Sequence, residues 1–391
     1  MNQQIFLPPA RIGIIGGGQL GRMTAIAARR LGYKILVLDP NPHCPASHVA
    51  DQTVQADYGD ITALKKFAEQ IDLITFEFEN IPGDVLKELE YTTTDQIFPH
   101  WSVLHTCQNR EREKLFLNQN RYPLPPFKMV TSPSELSQAI EEIGTPSVLK
   151  TADFGYDGKG QIKLTPENTM DIDAVSKLWQ ELNEHAISKA VLEKWVNYKS
   201  ELSVVCARSR SGECSTFPVA ENKHTNHILD LSIVPAQVPE KVQKQAREMA
   251  ISIAETLDVI GLIAVEMFFT VDGELLVNEC APRPHNSGHY SLDACLTCQF
   301  EQHVRAICNL PLGSTKLLSP VVMVNILGDT WLKSEDNKPD WSQLLKPPSL
   351  KLHLYGKDKA RAGRKMGHLN IVNQELDTSL KIAQEVKDTF L

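Results

Sequence analysis

No apolar run in the chain is long enough to span a membrane. The start, MNQQIFLPPA, has neither the basic n-region nor the apolar h-region of a secretory signal. There is no basic excess either: 40 Lys and Arg stand against 48 Asp and Glu, a formal charge of -8, which argues against wholesale nucleic-acid binding. The eight cysteines lack disulfide-like spacing, which fits reduced thiols and a cytoplasmic location. Cys295 and Cys298 form a C-x-x-C, but no second pair or histidine set stands at zinc-site spacing, so they read as structural or incidental thiols. G-x-x-x-x-G-K-[ST] is missing, so there is no P-loop. Internal repeats and low-complexity stretches are absent too. What remains is an ordinary globular chain of 391 residues, 42% hydrophobic and 23% charged, enough for two or three domains.

Residues 11–16 (RIGIIG) run into glycines as a strand does, and 19–31 have helical periodicity that ends at Gly32. A second strand at 34–39, an amphipathic segment at 60–70 and a strand at 71–78 follow. This alternation predicts a parallel sheet with helices on its faces, ending near residue 103. Residues 105–120 read as a polar bridging helix. Beyond YPLPP (122–126) come strands at 148–150 and 161–164 around a glycine loop, a helix at 174–184 and a strand near 191–196. Strands at 201–208 and 214–221, helices at 239–257 and 291–309, and short strands and loops from about 315 complete the reading.

The most informative stretch is 261–291, GLIAVEMFFTVDGELLVNECAPRPHNSGHYS. Two apolar strands meet at Asp272-Gly273, a dipeptide suited to a two-residue hairpin turn. With that turn Val271 pairs with Glu274 and Glu266 with Glu279, their Cβ atoms about 5 Å apart on one face. Carboxylate oxygens suit Mg²⁺, which commonly takes substrate phosphates as further ligands, so the hairpin points to an Mg-nucleotide site. The plain alternative is an exposed face with two solvated glutamates.

Gly16, Gly18 and Gly21 form G-x-G-x-x-G between a strand and a helix, and Asp39 closes the next strand. Read literally this is a dinucleotide fingerprint; physically it suits any anion near a helix N-terminus, or only a tight turn. Glu77 and Glu79 point the same way at the end of the third parallel strand, where they could hold an amine or ribose hydroxyls, or simply be solvated. Lys150 closes a strand before a loop rich in glycine, a pairing suited to phosphate; an ordinary flexible hairpin is the alternative. Glu193-Lys194-Trp195-Val196 ends a strand and can offer its backbone to a purine edge, or is simply a strand end. The loop from Ala281 to Tyr290 holds Arg283, suited to a phosphate or oxyanion, or to a buried carboxylate. Lys351, Lys357, Lys359, Arg361, Arg364 and Lys365 form a basic cluster flanked by Gly356, Gly363 and Gly367, which suggests a phosphate cradle; a solvated face is the alternative.

In order and spacing these motifs resemble the N5-carboxyaminoimidazole ribonucleotide synthetases, the ATPase subunits of phosphoribosylaminoimidazole carboxylase, in the ATP-grasp superfamily. The resemblance runs nearly end to end: GGGQLGRM (16–23), TFEFENIP (75–82), GYDGKGQ (155–161), AENKH (220–224), NECAPRPHNSGHY (278–290), YGK (355–357) and RKMGH (364–368). It implies an α/β (α+β) chain with an N-terminal Rossmann-like domain (1–103), an ATP-grasp domain (104–310, its small lid at about 124–196) and a C-terminal substrate-phosphate domain (311–391).

The resemblance further implies ATP- and bicarbonate-dependent carboxylation of 5-aminoimidazole ribonucleotide in purine biosynthesis, by a homodimer. ATP would be held by Arg110, Lys150, Gly155, Tyr156, Asp157, Gly158, Lys159, Gly160, Gln161, Glu193, Lys194, Trp195, Val196, Glu201, His224, Asn278 and Glu279. Glu266 and Glu279 would carry Mg²⁺. The ribonucleotide would lie against Gln19, Leu20, Glu77 or Glu79, Tyr156, Asp157, Asn286, Lys357, Arg364 and Lys365. Lys150 would offset charge on the transferred phosphoryl group, and Arg283, His289 and Glu77 or Glu79 are expected near the amine. Two positions depart from the pattern: Ala281 stands where many relatives have an asparagine, and Lys159 where they often have arginine. The rivals are a formate-dependent phosphoribosylglycinamide formyltransferase of the same superfamily, an NAD-dependent oxidoreductase, and a non-catalytic nucleotide-binding module.

Overall fold

The computed structural model describes residues 4–92, 96–153, 160–169, 172–182 and 189–391. Its first sheet is parallel, in the order Gln52–Gln55, Lys34–Asp39, Arg11–Ile15, Leu73–Phe76. Every residue of Arg11–Ile15 after the first is buried, as expected of a strand covered on both faces. Gln52–Gln55 is an additional strand; QTVQ carries no apolar alternation because it is a half-exposed edge. The helix Gln19–Arg30 starts directly after the glycine loop.

A second, antiparallel sheet of four strands runs Phe127–Val130, Ala190–Lys194, Ser147–Thr151, Gln161–Leu164. Helices Pro133–Ile143 and Ile172–Leu182 close it around Leu136, Leu149, Val175 and Leu192.

The third sheet has nine strands. Eight lie in the order Leu275–Ala281, Gly261–Thr270, Tyr198–Arg208, Ala220–Thr225, Ile228–Val234, Val321–Leu327, Lys365–Val372, Leu350–Leu354, and Cys214–Thr216 pairs beside Tyr198–Arg208. The last three strands of the chain thus extend the sheet that carries the glutamate hairpin. Helix Glu240–Thr256 covers one face through Val242, Ala246, Ala250 and Ile253, packed on Val204, Ile263 and Val265.

Several elements differ from the sequence reading. The bridge at 105–120 is two helices, Trp101–Cys107 and Arg110–Gln119, the second capped by Asn109. The run 214–221 divides at Phe217-Pro218, where proline has no N–H for a ladder. The helix expected at 291–309 divides into Ser291–Ala294 and Gln299–Ile307. After 315 the strands are long and a helix, Leu376–Thr389, covers them. All eight cysteines are free. Among the described residues no helix is long and apolar enough to cross a membrane.

Candidate active site

Glu266 does face Glu279, but by a different route. The turn is a three-residue loop: Thr270 N–H donates to Glu274 O at 2.9 Å and Gly273 N–H to Thr270 O at 3.1 Å. Gly273 takes φ +89°, the left-handed residue that closes such loops. That loop pairs Met267 with Val277, a register that would set Glu266 against Asn278. A bulge follows at once, and from Glu266↔Glu279 onward the pairing is shifted by one residue. Leu275, Val277 and Cys280 enter the core on one side of the sheet, and Ala281 enters it on the other. Glu279 is left exposed in the cleft. Burial first, then repulsion from Glu279, pushes the Glu266 carboxyl up to about 8. His285 Nε2 stands 3.4 Å from Glu266, with its imidazole held neutral chiefly by burial. Two facing carboxylates, of which Glu266 has its proton affinity raised by the other's charge, fit a divalent cation between them.

Lys150 lies in a buried ionic chain. Its Nζ is 3.1 Å from Glu193 Oε1 and 3.5 Å from Asn278 Oδ1. Glu193 Oε2 is 3.2 Å from Lys114 Nζ. Burial would raise the Glu193 carboxyl, but the two ammonium groups outweigh it and hold it at about 2. Lys150 is lowered, mainly by burial. Glu193 therefore acts through Lys150, and Lys114 is a site residue that the sequence reading missed. Arg110 lies alongside, its Nη1 donating to Thr151 O at 3.2 Å.

The purine-edge expectation narrows. The N–H groups of Lys194 and Trp195 are spent on Pro126 O (2.8 Å) and Pro146 O (3.1 Å). Pro126 has no N–H to return, which keeps the Lys194 carbonyl as an acceptor on that edge, beside Val196. Trp195 itself packs under Lys163, whose Nζ is 4.0 Å from the ring centroid. Glu201 and His224 pair directly; burial would lower the imidazole pKa, but Glu201 outweighs it and raises it. Of the glycine loop, Gly155, Tyr156, Asp157, Gly158 and Lys159 lie outside the described residues. Gly160 and Gln161 hold its root: Gly160 O accepts from Thr151 N–H at 2.8 Å, and Gln161 pairs with Lys150.

The dinucleotide reading of Gly16–Gly21 fails on geometry. Asp39 is turned inward, accepting from Gly17 N–H (2.7 Å) and Tyr58 Oη (2.8 Å) at one oxygen and Asn41 N–H (2.8 Å) at the other. Gly18 N–H donates to Glu77. The loop's N–H groups are thus filled by carboxylates where a pyrophosphate would have to sit. Burial pushes Glu77 up to about 7, opposed by the Gly18 N–H and Lys357.

Beyond the hairpin, Arg283 is committed to Glu79 through two hydrogen bonds, the second from Nη2 at 3.0 Å. Burial would raise the Glu79 carboxyl, but Arg283 holds it below its ordinary range. Asn286 is 6% exposed, and neither atom of its amide has a hydrogen-bond partner among the described residues. His289 is not where the sequence reading put it. It is wholly buried, donor or acceptor to Gln299 at 3.0 Å, packed against Phe300 and His368, and does not line the cavity.

A cavity of about 650 Å³ runs from Glu279 and Arg110 to the basic loop; Lys150, Glu193, Glu201, His224 and Glu266 are not among the described residues that line it. Gln19, Leu20, Glu77 and Glu79 line one wall, Glu279, Arg283, His285 and Asn286 another, and Lys357, Arg361, Arg364 and Lys365 a third. Glu113, missed by the sequence reading, also lines it. It is 3% exposed, accepts from Cys280 N–H at 2.6 Å, and is pushed by burial up to about 8. Glu113 and Lys114 stand four and three residues before the buried Leu117, and that shared face was the available signal.

A small antiparallel sheet whose strand-end lysine reaches toward a glutamate-bearing hairpin of a larger sheet defines an ATP-grasp enzyme, and residues 115–300 match the ATP-grasp domain family. Residues 10–108 match the ribonucleotide synthetase preATP-grasp domain, and 321–381 the phosphoribosylaminoimidazole carboxylase C-terminal domain. The chain belongs to the N5-carboxyaminoimidazole ribonucleotide synthetase family. It is 49% identical over 378 residues to the N5-carboxyaminoimidazole ribonucleotide synthase of Bacillus subtilis (strain 168), covering 96% of this chain and 95% of that one. A crystal structure of an N5-carboxyaminoimidazole ribonucleotide synthetase in complex with ADP superposes with a TM-score of 0.90 at 47% identity, covering 99% of this chain and 98% of that one. The synthase from Aspergillus clavatus, solved with ADP and 5-aminoimidazole ribonucleotide, superposes at 0.88 with 29% identity, covering 97% of this chain and 98% of that one.

Proposed function

We infer that the chain converts 5-aminoimidazole ribonucleotide to its N5-carboxy derivative at the expense of ATP, with bicarbonate as the carboxyl source. The observation that carries this reading is the single cavity joining Glu279 to the basic loop Lys357–Lys365. A nucleotide's phosphates fit beside Arg110 and Lys150. A ribonucleotide phosphate fits the cationic wall of Lys357, Arg361, Arg364 and Lys365, with its base against Asn286.

Bicarbonate oxygen attacks the γ-phosphorus, the bond to ADP breaks, and carboxyphosphate forms. The exocyclic amine then attacks its carbon, phosphate leaves, and the nitrogen gives up one proton. Lys150, fixed by Glu193, offsets charge on the transferred phosphoryl group. Mg²⁺ bound by Glu266 and Glu279 would supply further neutralisation of phosphate charge. Arg283, oriented by Glu79, faces the carboxylate that forms. With Glu79 so engaged, Glu77 is the carboxylate on this wall suited to take the proton, since a carboxyl near 7 matches the working pH. The family resemblance supports a homodimer in the cytoplasm, with the three domains divided near 103 and 310.

The assay is ADP release with ATP and Mg²⁺ against pairs of acceptor and carbon source. Turnover with aminoimidazole ribonucleotide and bicarbonate is expected. Turnover that instead requires glycinamide ribonucleotide and formate would overturn the reading.

A further inference from the structure

The bulge that turns Glu279 into the cleft is gripped from outside the sheet. Leu275–Ala281 is an edge strand, so groups on its outer side have no ladder partner. The residues on either side of Glu279 both find partners on the helix Arg110–Gln119. Asn278 O accepts from Lys114 Nζ at 3.0 Å, and Cys280 N–H donates to Glu113 Oε1 at 2.6 Å. Glu113 and Lys114 are 3% and 1% exposed. Burying two ionisable side chains is costly unless each is well bonded. Here each spends a bond on the one stretch of strand where the register slips.

We propose that Glu113 and Lys114 are positioning residues that fix the hairpin's register, and so decide whether Glu279 faces Glu266. The inference rests on the reading of that pair as the metal site. Were the register of the turn to continue, Glu266 would face Asn278, and Glu279 would move to the core side of the sheet. The acid would exchange places with Cys280, which now fills the core. Lys114 also bonds Glu193, which bonds Lys150. One buried side chain thus ties the metal-bearing strand to the phosphate-binding lysine, and both are placed by the same helix.

The test uses the full chain with Mn²⁺ as the probe. Titration of Mn²⁺ in the presence of ADP, followed by electron paramagnetic resonance, gives an affinity independent of turnover. Glu113→Ala is expected to weaken Mn²⁺ binding by about 10–100-fold, the usual range for losing a group that orients a ligand. It should also raise hydrogen exchange over 275–281. Glu113→Gln keeps an acceptor oxygen for Cys280 and should recover most of the loss. Glu113→Leu, which refills the volume, replaces the alanine variant if that one does not fold. Parent-like Mn²⁺ affinity and parent-like protection of 275–281 in the alanine or leucine variant would overturn the clamp. Glu279→Gln is the control on the metal reading. If it binds Mn²⁺ as the parent does, that reading fails, while the exchange data still decide the register.

Discussion

Glu77 holds its carboxyl near 7 against an ordinary value of 4.5. Between those values the folded chain keeps a proton that the unfolded chain has given up, so stability falls as pH rises through that window. Glu77→Gln has no proton to lose. Its melting temperature relative to the parent, both ligand-free, should therefore rise between pH 4.5 and 8, by on the order of 2 °C. A difference that stays flat with pH would mean that burial does not perturb Glu77. Residue types read well from sequence here where they end strands. Lys150, read as closing a strand, lies on Ser147–Thr151 beside Glu193 and Asn278, while Arg283, read from the loop after the hairpin as suited to an anion or to a buried carboxylate, is bound to Glu79. The residues that escaped notice sit inside a helix. REREKLFLNQ looks like a solvated surface, yet Glu113 and Lys114 are buried by what the rest of the chain brings to them. His289 failed in the opposite sense, because a histidine in a polar loop gives no sign of which way the loop turns it.

Among the elements, the loop that carries the cationic wall is built on a neighbouring turn. Gly328 N–H donates to Arg364 O at 2.8 Å, and Asp329 accepts from Gly363 N–H at 2.7 Å. A Cβ on Gly328 would stand 2.1 Å from Arg361 O, a backbone atom that cannot give way cheaply. Gly328→Ala should therefore displace Arg361 and Arg364. We expect the KM for the ribonucleotide to rise by about tenfold or more while the KM for ATP changes little, since small displacements of binding groups are costly. Equal changes in both constants would point instead to general loosening. The hairpin shows how an element can be legible for an incomplete reason. Asp272-Gly273 suggested a two-residue turn; the loop has three residues, and a one-residue bulge restores the expected pairing. The spacing Leu275, Val277, Cys280 in the core, two and then three, records that slip. Sequence periodicity shows such a shift only once it is known which face is buried.

At the scale of the whole molecule, the parallel sheet was the easiest part to read, because three of its four strands are short buried apolar runs; Gln52–Gln55, a half-exposed edge, went unread. The C-terminal region was not, because Val321–Leu327 and Lys365–Val372 are completed by strands far away in sequence. Val321–Val324 pairs with Leu231–Val234, so the central unit and the C-terminal strands share one ladder. A fragment ending before Val321 should expose that strand edge together with its buried apolar face, and should aggregate. Size-exclusion chromatography checks this; a monodisperse fragment that binds ADP as tightly as the full chain would count against it.

Glu279 and Lys365 stand at strands six steps apart in the nine-stranded sheet, about 29 Å along it at ordinary strand spacing, yet they line the same cavity. Only accumulated twist can bring them together, each strand turning by roughly 20–25° on the last. The separation between the glutamate hairpin and the cationic loop is therefore set by the shape of the sheet, and so by the packing of the strands between them. Packing changes far from the cavity would open or close it like the fingers of a cupped hand.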